Sequence, residues 1–199
     1  MSKEIQLDRL AVFCGSSSGN DLAITEAAQT LGAYMVEQQI ELVYGAAKIG
    51  VMGDLAKAVL DKGGKVIGVI PEFLKRKEVV HLGLTQLITT ENMHQRKLEM
   101  SELSDGFIAL PGGFGTLEEL FEIITWSQLG LHQKPVGLLN INGFYDPLLA
   151  LLEGMVRKGF LKMENFEILL VANQPQTLIE KMRNYKPKSV PKWLTQERT

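Results

Sequence analysis

Two stretches hold most of the residues able to do chemistry. The first, ENMHQRKLEM (91–100), sets Arg96 and Lys97 side by side one turn after Met93. The second, LPGGFGTLEEL (110–120), breaks on Pro111, Gly112, Gly113 and Gly115 and restarts with adjacent carboxylates, Glu118 and Glu119. Glycines let backbone N–H groups converge with no Cβ in the way. The free N–H groups of a following helix add partial positive charge, worth roughly 0.3–1 kcal/mol to an anion. Thr116 can add its hydroxyl. A phosphate suits that turn; carboxylates one turn further on do not, and a ligand for this stretch has to reconcile the two.

Each feature also has a plainer reading. The turn at 112–116 can be a tight strand–helix connection that binds nothing. Thr116-Leu117-Glu118-Glu119 fits a capping box, in which the glutamate bonds back to the cap amide. Met93, Met100 and Leu103 line one apolar helical stripe, and Arg96 and Lys97 can flank it as snorkelling cations, with Arg96 paired to Glu99 at i,i+3. The sharper alternative puts both cations over a ligand edge, where they call for an anion. Spacing alone leaves these pairs of readings open.

The elements that would position these residues alternate strand and helix along the whole chain. Apolar, β-rich runs predict strands at 10–15, 41–45, 65–71, 85–90, 107–111, 136–140 and 167–173. Helical spacing predicts helices at 21–38, 50–64, 91–103, 116–129, around 144–159 and around 175–184. Residues 72–83 read as a loop. Continuous apolar strands are buried on both faces, as in parallel sheets. The expected fold is therefore α/β, a doubly wound, mostly parallel sheet with helices on both faces. One domain is expected over 1–184, followed by an irregular tail at 185–199 that contains Pro187 and Pro191. Ligands in such sheets bind outside the carboxyl ends of the strands. Three glycine turns fall there: Gly15 to Gly19 with Ser16, Gly45 to Gly53 with Gly50, and Gly112 to Thr116.

Composition narrows the function. The chain has 199 residues, 45% hydrophobic and 22% charged, with a net charge of −2, so there is no basic field to serve nucleic acid. One cysteine, Cys14, allows no internal disulfide framework, and its place in an apolar strand end suits a buried, inert thiol. No secretory signal pattern and no run of bilayer-spanning length is read, so a cytoplasmic protein is expected. GSSSGN is not the dinucleotide fingerprint, and the second strand ends in Tyr44-Gly45 where an acidic residue would meet a ribose. No Gly-Lys-Ser or Gly-Lys-Thr follows any turn. His81, His94 and His132 lack metal-ligand spacing, and no metal is expected; His94 is expected on a helix surface or pocket wall. Trp126 and Phe121 read as core or interface residues.

In combination, MHQRK (93–97) and PGGFGTLEE (111–119) resemble the signature pair of the LOG family, the cytokinin-activating nucleoside 5′-monophosphate phosphoribohydrolases, often labelled lysine decarboxylase-like. FCGSS (13–17), GVMG (50–53), VIP (69–71) and the stretch from Ile124 to Leu149 extend the likeness over most of the chain. The resemblance implies a Rossmann-like fold, usually a homodimer, that cleaves the N-glycosidic bond of a nucleoside 5′-monophosphate to free base and ribose 5-phosphate. It implies Arg96 and Glu119 as catalytic residues. It places nucleotide contacts at Glu78, Lys97, the turn from Gly113 to Glu119, and Thr125. Ser16, Gly45, Gly50, Met93, Gly112, Gly113, Phe114, Gly115, Thr116, Leu117 and Glu118 complete the candidate substrate-binding set. No cofactor is implied.

A mononucleotide answers the opening conflict: its anion sits at the glycine turn, and its sugar meets Glu119, beside the positive charge that develops at C1′ as the base leaves. One departure stands out. The second turn is commonly Gly-Gly in the family, whereas here Gly45 is followed by Ala46 and Ala47, whose methyls are expected to narrow the approach of a phosphate or sugar. Two rival functions share the fold or label. A nucleotide or molybdenum-cofactor carrier would leave Arg96 and Glu119 without a task. A true lysine decarboxylase would need pyridoxal phosphate and a Ser-x-His-Lys-type anchor, which the chain lacks.

Overall fold

The computed structural model describes residues 4–75 and 80–187. Seven strands form one sheet in the order β4-β3-β2-β1-β5-β6-β7. They are β1 (Arg9–Phe13), β2 (Glu41–Tyr44), β3 (Val66–Pro71), β4 (Gln86–Thr90), β5 (Gly106–Ala109), β6 (Val136–Leu139) and β7 (Leu169–Ala172). Every pairing between them is parallel, so the sheet goes beyond the mostly parallel expectation. The helices are α1 (Leu22–Glu37), α2 (Gly50–Asp61), α3 (Glu72–Lys75), α4 (Met93–Leu103), α5 (Phe114–Gln128), α6 (Asp146–Arg157), α7 (Met163–Phe166) and α8 (Pro175–Arg183). Among the described residues, no helix is long and apolar enough to cross a membrane.

Alternate side chains of the buried strands feed two cores. Leu10, Val12, Leu42, Tyr44 and Ile108 pack under α1, α2 and α8. Ala11, Phe13, Val43, Phe107 and Ala109 pack under α4, α5 and α6. This two-sided burial is why these strands read as unbroken apolar runs. Winding runs outward from β1 to β4, then crosses back to β5 on the other side of β1. The connections therefore diverge between β1 and β5, and a crevice opens at their carboxyl ends.

That crevice is drawn tight from behind. The Leu110 amide donates to the Phe13 carbonyl at 2.9 Å. A Cβ on Gly112 would lie 3.0 Å from the Gly15 nitrogen and 2.1 Å from the Thr116 hydroxyl, so only glycine fits where the two turns touch. The Tyr145 hydroxyl, buried at the start of α6, donates to the Leu110 carbonyl at 2.6 Å. The Tyr145 amide in turn donates to Asn140 Oδ1 at 2.8 Å.

The structure corrects several sequence boundaries. Helix α5 begins at Phe114, two residues before the expected 116. The stretch read as a loop opens with α3, and Val80 bridges Ala47 in antiparallel sense. Helix α7 and a 3-10 turn at Ile141–Gly143 were not expected. Tyr185 to Pro187 carry no helix or strand, and the rest of the expected tail lies outside the described residues.

Replacing Tyr145 by Phe removes the buried bond to Leu110 and leaves that carbonyl without its hydroxyl donor. Chemical denaturation should show a loss of about 1 kcal/mol, with the midpoint lowered and the slope unchanged.

Candidate active site

Helix α4 carries the cations because its first turn is firmly capped. Asn92 is the N-cap, and its Oδ1 accepts from the Gln95 amide at 2.9 Å. Gln95 Oε1 accepts in return from the Glu91 amide at 2.9 Å. Past this reciprocal cap, Arg96, Lys97, Met100 and Ser101 face inward at helical spacing and are buried. His94 and Leu98 stay exposed.

Arg96 does not snorkel to water, and its ion pair is not with Glu99. Its Nε donates to the Val69 carbonyl in the second half of β3, at 3.1 Å. Its Nη1 lies 3.9 Å from Met93 Sδ and 3.8 Å from Glu119 Oε1. The two side chains keep only 7% and 8% of their surface exposed, so the pair is almost wholly desolvated. Lys97 points the other way, to Glu118 at 2.5 Å and Glu122 at 3.0 Å. Burial alone would lower the Lys97 ammonium, but the two carboxylates outweigh it and raise it.

Glu119 is not a cap. With α5 starting at Phe114, the N-cap is Gly113, and no side chain bonds to it. Glu119 then sits in the second turn, too far on for a capping box. The reciprocal cap of this region belongs to α4. Burial pushes the Glu119 carboxyl up from near 4.5 to about 7; Arg96 opposes that rise, and Glu118 adds to it. The buried Cys14 thiol, beneath the same edge, is pushed up by burial and then by the Glu119 charge. It is too far from its thiolate form to act as a nucleophile.

The start of α5 is open. Gly113, Phe114 and Gly115 are exposed, and a Cβ on Gly113 or Gly115 would meet nothing within 4 Å. Uncapped amides at a helix start, facing open space, are free to receive an acceptor. Thr116 is buried, with its hydroxyl packed over Gly112, so it braces the turn from below. Leu117 packs partly into the core beneath α5. Ser16 is exposed beside Gly50, where φ is +66° and a Cβ would lie 2.3 Å from the Ser16 carbonyl carbon. The Met52 amide donates to the Gly15 carbonyl at 3.1 Å, tying this turn to α2.

One expectation changes in this setting. Ala46 and Ala47 are fully covered, and the Ala46 methyl packs against Gly68, so neither methyl narrows the crevice. Gly45 is buried against Arg96. Thr125 is exposed, and its hydroxyl donates to the Phe121 carbonyl at 2.7 Å. At the helical rise it lies about 9 Å beyond Glu119 along α5. Glu78 lies outside the described residues. No cluster of three or more His, Cys, Asp or Glu able to hold a metal occurs among the described residues. Sequence reasoning missed Val69, which acts through its carbonyl and so leaves no trace in residue type.

Fold and site together define a Rossmann-like α/β protein with an open, uncapped helix start and a buried carboxylate–guanidinium pair at its switch point. Comparison with known proteins agrees with that class. The sequence model of the family described as "Possible lysine decarboxylase" matches residues 52–182. A "Probable cytokinin riboside 5′-monophosphate phosphoribohydrolase" of Oryza sativa subsp. japonica is 49% identical over 177 residues, 89% of this chain and 79% of that protein. A cytokinin riboside 5′-monophosphate phosphoribohydrolase of Arabidopsis thaliana is 46% identical over 188 residues, 94% and 88% of the two chains. Among solved structures, a molybdenum cofactor binding protein from Rippkaea orientalis superposes with a TM-score of 0.68 at 23% identity, covering 90% of this chain and 98% of that one. At that identity the likeness concerns the fold. The chain belongs to the LOG family, the lysine decarboxylase-like group of Rossmann-like proteins.

The raised Glu119 carboxyl has a sign that can be measured. Between about pH 4.5 and 7 the folded state holds a proton that the unfolded state releases, so stability falls as pH rises through that window. The deficit is on the order of 3 kcal/mol above it. Glu119→Gln should therefore melt higher than the parent protein at pH 8, and the gap should close as pH falls to 4.5.

Proposed function

We propose that the protein hydrolyses the N-glycosidic bond of a nucleoside 5′-monophosphate, AMP or an N6-substituted AMP of the cytokinin type, giving free base and ribose 5-phosphate. One observation carries the reading: Glu119, one turn behind the uncapped start of α5, and Arg96 from α4 stand 3.8 Å apart and buried. Two close relatives are named for this reaction on cytokinin riboside 5′-monophosphates.

The phosphate takes the amides of Gly113 to Thr116. Its sugar then runs along α5 toward Glu119. As the C1′–N bond breaks, its electron pair leaves with the base and positive charge gathers at C1′ and the ring oxygen. A carboxylate held close by, in a site with little water, stabilises that charge. A water oxygen bonds to C1′, and Glu119, poised near 7, accepts the proton it sheds and later releases it to solvent, from which the departing base nitrogen takes up one proton. A guanidinium keeps its charge through this pH range, so Arg96 orients phosphate or sugar and keeps part of the Glu119 population ionised. Lys97, neutralised by Glu118 and Glu122, holds α4 against α5. A carrier function gives the Arg96–Glu119 pair no such work.

The same reading includes a homodimer. Phe121 is 37% exposed on α5, and Leu151 and Phe144 extend the apolar surface around α6. With one cysteine and no disulfide framework, the chain suits a reducing compartment such as the cytoplasm.

Incubated with AMP or an N6-substituted AMP, the protein should release base and ribose 5-phosphate, and the unphosphorylated nucleoside should react at least a hundredfold more slowly. Arg96→Ala and Glu119→Ala should each lower kcat/KM by about 10²-fold or more while circular dichroism stays unchanged. Light scattering should give the mass of two chains, shifted toward one by Phe121→Glu.

A further inference from the structure

We propose that Gly45 is a positioning residue for Arg96: the space left by its missing side chain is the slot that holds the guanidinium beside Glu119. The proposal rests on the catalytic reading of Arg96 and Glu119 given above, and it moves Gly45 from substrate contact to support.

A Cβ on Gly45 would lie 2.1 Å from Arg96 Nη2 and 3.4 Å from its Cζ. Its third neighbour, Met52 Sδ, would lie at 3.3 Å, a contact that a flexible thioether absorbs. The one severe clash is thus with the tip of the arginine. Gly45 follows Tyr44, whose side chain packs into the core under α1 and α2, so alternation turns the Gly45 Cβ position toward α4. The remaining sides of the slot are fixed. The Val69 carbonyl holds Nε on the β3 side, Met93 Sδ lies by Nη1 on α4, and Glu119 faces Nη1 from α5. The next two residues, Ala46 and Ala47, are locked from outside: the His81 amide donates to the Ala46 carbonyl at 3.0 Å, and Ala47 bridges Val80. The turn therefore cannot swing away to make room, and a methyl at 45 must move the guanidinium instead.

Moving it has a defined consequence. The charged groups facing Glu119 are Arg96 and Lys97 from α4 and Glu118 and Glu122 on its own helix, with the Cys14 thiol beneath it just after β1. Arg96 is the strongest of the cations. If it withdraws, the Glu119 proton is released at higher pH, and less carboxylate is available at neutrality.

The test uses four full-length proteins: the parent, Gly45→Ala, Arg96→Ala and the double variant, with AMP or its N6-substituted form as substrate. Gly45→Ala should lower kcat at least tenfold with KM within threefold. Its acid limb in kcat/KM should move up by half a pH unit or more, a readout that loosened packing alone would not give. Should Gly45→Ala also lower the melting temperature, or fail to fold, that cost should vanish in the Arg96→Ala background, where the slot is empty. An unchanged kcat and limb, a rise in KM alone, or the same melting loss with and without Arg96 would each overturn the proposal. Arg96→Ala turning over at the parent rate would instead defeat the catalytic reading, and so is told apart from failure of the Gly45 assignment.

Discussion

A carboxylate buried next to a guanidinium, yet not fully neutralised by it, is the constraint that organises this molecule. Glu119 loses its hydration on α5, and Arg96 returns only part of what is lost. The result is a carboxyl that titrates near neutrality, a state no exposed glutamate reaches. Holding it there needs support from four different strands. β1 and β5 part to open the crevice, β2 leads straight into the glycine that leaves room for the guanidinium, and β3 supplies the carbonyl that anchors it. The all-parallel sheet matters because it delivers all four carboxyl ends to one edge.

Such an arrangement works against stability. Buried ions repay their desolvation poorly unless every partner is in place. The chain offsets this with devices around the pair and not in it. Lys97 meets two carboxylates, α4 has a reciprocal cap, and the Tyr145 hydroxyl pins the strand that leads into the glycine turn. By contrast the start of α5 has no cap at all, although a Ser or Asp at position 113 would stabilise it. Helices α2, α6 and α8 also start without a side-chain cap; at α5 the first residues are exposed as well, which leaves their amides open to an acceptor.

Much of this was legible in the residues. The seven strands could be read because burial on both faces makes them unbroken apolar runs, and the glycine turns mark their carboxyl ends. The signature MHQRK with PGGFGTLEE pointed to Arg96 and Glu119, and the structure brings them together. What the sequence obscured has physical causes. Thr116 and Glu119 match a capping box in spacing, but helix α5 starts two residues early because Phe114 and Gly115 can already be helical. The Ala46 and Ala47 methyls looked like obstacles because direction cannot be read from residue type; both turn into the protein. Val69 contributes only backbone, and the slot at Gly45 is a property of distance.

The most direct test is a crystal structure with ribose 5-phosphate bound. The account predicts its phosphate on the amides of residues 113–116 and a Glu119 oxygen within about 3.5 Å of C1′ or its hydroxyl. A phosphate seated elsewhere, or a sugar lying on the far side of α4 with Glu119 still closed on Arg96, would contradict it.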